Sequence, residues 1–110
     1  MTGSVIRNII NRKKYFEKWG NLVELTSEKD FSICEYTINV GNLSKIEIKT
    51  DCYFIIVSGT AEFKFQNKTK KIFKGEKILI NGLASGEIIN CERIPLVLMQ
   101  VILNKCGNIG

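Results

Sequence analysis

The stretch Phe54-Ile-Ile-Val-Ser-Gly-Thr-Ala-Glu-Phe-Lys-Phe65 constrains the fold of this chain more than any other. Phe54 to Val57 is apolar on both faces, which predicts a strand covered on each side. Ser58-Gly59 supplies a turn. Ala61, Phe63 and Phe65 then alternate with Glu62, Lys64 and Gln66, the pattern of a strand with one buried face. Neither strand buries its apolar side alone, so the pair demands further strands around it.

The rest of the chain supplies them. Cys34, Tyr36, Ile38 and Val40 alternate with Glu35, Thr37 and Asn39; Gly41-Asn42 turns; Ile46 and Ile48 alternate with Lys45, Glu47 and Lys49. Asn67-Lys68 signals a hairpin, Lys70 to Phe73 returns, and Gly75 turns again. Lys77–Ile80, Gly86–Asn90 and Leu96–Leu103 follow, with Asn81-Gly82 opening a loop. Eight or nine short strands, with turns every 8–12 residues or so, predict an all-β sandwich or barrel of the jelly-roll type. Residues 5–18 place Ile6, Ile9, Ile10 and Phe16 at helical spacing, so residues 1–17 read as a short helix or an irregular arm, and residues 18–110 as the barrel domain.

With 110 residues there is one core. Hydrophobic residues at 45% and charged residues at 25% match ordinary globular usage, which argues against disorder. No apolar run approaches the roughly 20 residues that span a bilayer, and no signal peptide is recognisable, so a cytoplasmic protein without a membrane partner is expected. Cys34, Cys52, Cys91 and Cys106 lack Cys-x-x-Cys spacing and read as reduced, mostly core thiols. The net charge of +5 concentrates in Arg7, Arg12, Lys13, Lys14 and Lys18 and in Lys68, Lys70, Lys71, Lys74 and Lys77. Such clusters attract anions. They serve equally as a solvated surface, and the absence of interleaved aromatics argues against nucleic acid.

Three fragments, in order, resemble the cupin barrel, and more closely the cupin domain that ends type II mannose-6-phosphate isomerases and bifunctional mannose-1-phosphate guanylyltransferases. Lys18-Trp19-Gly20 is similar to Arg-Pro-Trp-Gly of that family. Tyr53-Phe-Ile-Ile-Val-Ser-Gly-Thr-Ala-Glu62 is similar to its His-Trp-Val-Val-Val-Ser-Gly-Thr-Ala-Glu. Asn90-Cys-Glu-Arg-Ile-Pro-Leu-Val-Leu-Met-Gln-Val101 is similar to its Asn-Pro-Gly-Lys-Ile-Pro-Leu-Glu-Leu-Ile-Glu-Val. The resemblance implies a cupin-type jelly roll and a place in sugar-phosphate and polysaccharide chemistry. It also implies a histidine-held metal, yet the chain has no histidine. Counting back from Ser58 puts the family's ligand positions on Glu47, Lys49, Cys52 and Tyr53; counting back from Asn90 puts the last on Gly86. That set is too mixed to hold a divalent cation, so no cofactor is expected and metal-dependent isomerase activity is not.

Two readings of Glu47 and Lys49 stand. They pair across one inward face of the barrel, or Ile46 and Ile48 take that face and leave both charges in water. Three functions follow. The first is a metal-free module binding a sugar, sugar phosphate or other small anion with Glu47, Lys49, Cys52, Tyr53, Gly86 and Tyr36, helped by Trp19 and Phe54. The second is a metal-independent isomerase or epimerase of activated sugars, which needs a base tuned near working pH. The third is a regulatory interaction protein. Phe54–Val57, Ile46, Ile48 and the Ile6–Ile10 arm exceed what one small barrel covers, which predicts a homodimer.

Overall fold

The period-two segments become ten antiparallel strands in the computed structural model, which describes residues 14–103. They are β1 (Lys14–Glu17), β2 (Gly20–Ser27), β3 (Phe31–Ile38), β4 (Leu43–Ile48), β5 (Cys52–Ser58), β6 (Thr60–Phe65), β7 (Lys68–Phe73), β8 (Lys77–Ile80), β9 (Ala84–Asn90) and β10 (Leu96–Leu103). One sheet runs β1-β2-β3-β10-β5-β8 and the other β4-β9-β6-β7. From β3 onward the chain changes sheet at every connection except the β6–β7 hairpin. This is a jelly-roll barrel.

The core lies between the sheets, built by the inward members of each alternation. Phe54 and Ile56 of β5, Phe63 and Phe65 of β6, Ile88 of β9 and Leu98 of β10 are all buried. Five rings form a continuous row across it. Trp19 stacks on Tyr36 at 5.9 Å, Tyr36 meets Phe54 edge-on at 6.1 Å, and Phe54 contacts Phe63 at 5.3 Å. Phe63 stacks on Phe65 at 6.3 Å. Each such pair adds about 0.5–1.5 kcal/mol beyond area burial.

Three expectations are corrected. Lys14–Glu17, read as the end of a helix or arm, pairs with β2 as a strand; residues 1–13 lie outside the described residues. The hairpin turn is Gln66-Asn67, one residue earlier than read, with both residues at positive φ (52° and 64°). Finally, β5 is buried on one face only. Cys52, Phe54 and Ile56 point inward, whereas Tyr53 and Ile55 are half-buried and Val57 is exposed on the outer face.

The two ends of the barrel differ. At one end Asn90 joins three segments: its Nδ2 donates to the carbonyls of Ile38 (3.0 Å) and Ile94 (2.9 Å), and its Oδ1 accepts from the Glu92 N–H (2.8 Å). Thr60 donates to Glu92 Oε2 at 2.8 Å beside it. Gly59, at φ 91°, turns there with Leu96 Cα only 3.3 Å from where a Cβ would sit. The other end carries the β6–β7 hairpin and the β8–β9 loop, and it is open.

Candidate functional site

The pleat decides which sequence-derived candidates share a space. On β4, Ile48 is buried, Ile46 packs against the core, and Glu47 and Lys49 are exposed. The inward reading of Glu47 and Lys49 is therefore corrected: the count from Ser58 crosses the Lys49–Asp51 bend, and a one-residue slip exchanges the faces of a strand. It also removes Ile46 and Ile48 from any outward apolar surface. Tyr53 sits between the inward residues Cys52 and Phe54, so its ring lies on the outer face, with the Lys77 ammonium 5.2 Å above it.

Tyr36 and Cys52 do come together, through a residue that sequence reasoning missed. Tyr36 Oη donates to Gln100 Oε1 at 2.9 Å, and Gln100 Nε2 donates towards Cys52 Sγ at 3.5 Å. All three are buried. Burial pushes the Cys52 thiol above its ordinary value, only partly offset by the Gln100 hydrogen bond, and pushes the Tyr36 phenol well above its own. Burial raises Cys34 as well, with Glu24 adding to it. These groups keep their protons at neutral pH and offer no thiolate or phenolate. Gln100 carried a readable signal, as a lone polar residue in the inward phase between Leu98 and Ile102.

Gly86 faces the interior of β9, opposite Ile46 and Phe65. A Cβ there would lie 2.1 Å from the Lys64 carbonyl oxygen and 2.6 Å from the Phe65 ring, so the glycine permits close strand approach. Glu47 and Gly86 border a broad furrow of about 720 Å³, shared with Lys45, Lys64 and Glu87. Lys45 pairs across to Glu87 and Glu87 to Lys64, and Lys68 also borders the furrow, so three lysines face two glutamates and one positive charge is left over. Glu47 and Lys49 also border a hollow of about 420 Å³ beside Leu83.

The residues do not fit the metal that the cupin resemblance implies. Glu47, Lys49 and Tyr53 lie outside the barrel, Cys52 and Gly86 inside it. Among the described residues, no three His, Cys, Asp or Glu side chains converge as a metal site would require.

What the open end does contain is a cavity of about 260 Å³ between the free edges of the two sheets, β7 and β8. Its walls are Phe63, Phe65, Ile78, Ile80 and Ala84. Its rim carries Gln66, Lys68, Lys70 and Asn81. None of the six site residues read from the sequence lines it. Lys68 and Lys70 had read as solvated surface, because an edge strand spelled Lys-Thr-Lys-Lys shows no alternation from which to choose a face.

No family model and no curated protein matches this sequence. Solved structures do match in shape. The cupin domain of an XRE family transcriptional regulator from Enterobacter cloacae superposes with a TM-score of 0.69 at 15% identity, over 76% of this chain and 94% of that one. The cupin domain of Cnp3 from Schizosaccharomyces pombe gives 0.68 at 17%, over 79% and 68%. Oxalate decarboxylase from Lactobacillus farciminis gives 0.79 at 19%, over 87% of this chain but only 32% of the enzyme. Identities this low speak for fold alone, and on that evidence the chain has the cupin-type jelly-roll fold.

Proposed function

We propose that this protein is a small-molecule-binding module that works without a metal, its ligand seated in the cavity between β7 and β8. The observation that carries this reading is the cavity itself, a concave apolar space with a few polar groups at its rim, which is the usual form of a ligand site. A binding role fits the interior better than catalysis does. A proton-transferring isomerase needs a group titrating near working pH. Tyr36 and Cys52 are held protonated, and Glu47 and Lys49 face water.

The resemblance to mannose-6-phosphate isomerase cupins nominates a sugar phosphate. Lys68 and Lys70 suit its phosphate, while Gln66 and Asn81 alone serve its hydroxyls. The test is a thermal-shift screen of sugar phosphates, nucleotide sugars and small carboxylates on wild type and Ala84→Met, whose longer side chain fills the cavity. A ligand that binds only the folded state raises its melting temperature. Stabilisation in wild type and not in Ala84→Met supports the reading. Equal stabilisation of both places the ligand elsewhere and sinks the cavity reading; stabilisation of neither favours an interaction protein.

The ligand-binding module is further proposed to be a homodimer, through the outer face of the six-stranded sheet. Ile55, Val57, Met99 and Val101 project there, out of phase with the buried Phe54, Leu98 and Gln100. The register aligns Lys77, Ile55, Met99 and Glu35 in one row across four strands. A two-fold axis along the strands sets Glu35 of one protomer across from Lys77 of its partner, so the face is self-complementary in charge. Light scattering at micromolar concentration should give about twice the chain mass, and Met99→Lys should give the monomer. A wild-type monomer rejects the dimer and leaves the cavity untouched.

A further inference from the structure

Resting on the cavity as the ligand site, we infer that the ligand class is an amphiphilic anion, a carboxylate carried on a compact apolar body. The argument starts from an inversion on β7. Lys68 pairs with Phe65 and Lys70 with Phe63, in the same phase as Ile72, which is buried. Both lysines thus stand on the core-facing side of a strand, where apolar residues are the rule. Both line the cavity and both are exposed, Lys68 bordering the neighbouring furrow as well, so a lysine stem against the apolar wall leaves its ammonium group in water at the rim. Two residues apart on one face, they stand roughly 7 Å from each other along the strand, near enough for one anion to meet both. Neither has a carboxylate partner among the described residues.

Inward lysines on an edge strand also discourage strand addition by other chains. That purpose needs only the charges. It does not call for Phe63, Phe65, Ile78, Ile80 and Ala84 to leave an unfilled space behind them. The space sets the size of the body: at about 260 Å³ it admits a compact group. The walls set its polarity. A hydroxyl turned towards five hydrocarbon side chains loses its water and gains no partner, which disfavours a sugar ring. An aryl or branched alkyl group loses nothing by entering, and its carboxylate stays at the rim between Lys68 and Lys70.

The experiment compares three probes by calorimetric titration: hydrocinnamate, its neutral analogue hydrocinnamyl alcohol, and glucose phosphate. Hydrocinnamate should bind at least ten-fold more tightly than the alcohol. Lys68→Gln with Lys70→Gln should weaken hydrocinnamate about 10- to 100-fold and leave the alcohol unchanged. Both positions are exposed, so the double variant should keep the wild-type melting temperature. Equal binding of acid and alcohol overturns the anion assignment while the cavity reading survives. Glucose phosphate binding more tightly than hydrocinnamate, with loss in the double variant, overturns the apolar body and returns the site to sugar phosphates. Failure of all three probes to bind overturns this inference and the cavity reading together.

Discussion

The two ends of the barrel are built on opposite principles. At the Asn90 end, one buried amide holds β3, β9 and the loop into β10 by three hydrogen bonds, and Gly59 lets the next turn press against Leu96. At the Phe65 end the strands separate around an apolar cavity. There Asp51 Oδ1 accepts from the Gly82 N–H at 2.8 Å. Directional bonds fix one end; at the other, apolar side chains leave an open space between the sheets. A barrel so divided holds its shape without help from whatever enters it.

The comparison breaks first, if it breaks, at Asn90. Asn90→Ala leaves two carbonyls and an N–H unpaired at the closed end, and is expected to cost about 3 kcal/mol or more in urea unfolding. Asn81→Ala, a matched change on the rim of the open end, should cost less than about 0.5 kcal/mol. Similar losses for the two would show that the ends are equally determined.

Gly86→Ala comes next, at about 2–4 kcal/mol, because the added methyl meets the Lys64 backbone and the Phe65 ring rather than a movable side-chain tip. A near-neutral Gly86→Ala would mean that β6 and β9 yield at the open end more freely than their pairing implies.

Tyr36→Phe probes the ground between the ends. It leaves Gln100 Oε1 without its donor, at a cost of about 1–2 kcal/mol. The same residues set an alkaline limit. Tyr36, Cys52 and Cys34 have folded-state values raised above their ordinary ones, 10.0 for the phenol and 9.0 for the thiols. Above those values the unfolded chain releases protons that the folded chain retains. Stability is therefore level below about pH 9 and falls as pH rises through 9 and 10. Urea midpoints from neutral to alkaline pH should show this decline, with a shallower one in Tyr36→Phe. An unchanged slope would place the titration elsewhere.

The smallest effects are expected at Glu47→Ala and Lys49→Ala, each within about 0.5 kcal/mol in stability and without effect on hydrocinnamate binding. A large loss of binding in either would return the site to the outer surface of β4.

What the sequence made readable follows the same division. Alternating runs such as Cys34-Glu35-Tyr36-Thr37-Ile38 carry their face in their period, and the Ser58-Gly59 turn falls where it was read. The fold followed from these. The cavity proposed as the site did not, for two physical reasons. A phase counted through Lys49-Thr50-Asp51 does not survive a bend, so that count set Glu47 and Lys49 inward against the Ile46–Ile48 alternation, and the structure takes the outward of the two readings. The Lys68-Thr69-Lys70-Lys71 run, being polar in both phases, conceals which lysines turn towards the core until Phe63 and Phe65 are placed opposite them.

The position of β10 has a consequence for how the molecule is made. Last in chain order among the described strands, it is the strand that joins β3 to β5. Its contacts reach far back; Tyr36 and Gln100 are 64 positions apart. While a ribosome is still synthesising residues 96–103, β3 and β5 have bare edges and nothing between them. The run Phe54-Ile-Ile-Val57 then offers other nascent chains a hydrophobic strand to pair with. Non-local pairing of this kind folds slowly. A chain cut short before Leu96 should therefore aggregate rather than persist as a smaller barrel, and full-length yield in a cell should depend on how quickly the final eight-residue strand closes the gap.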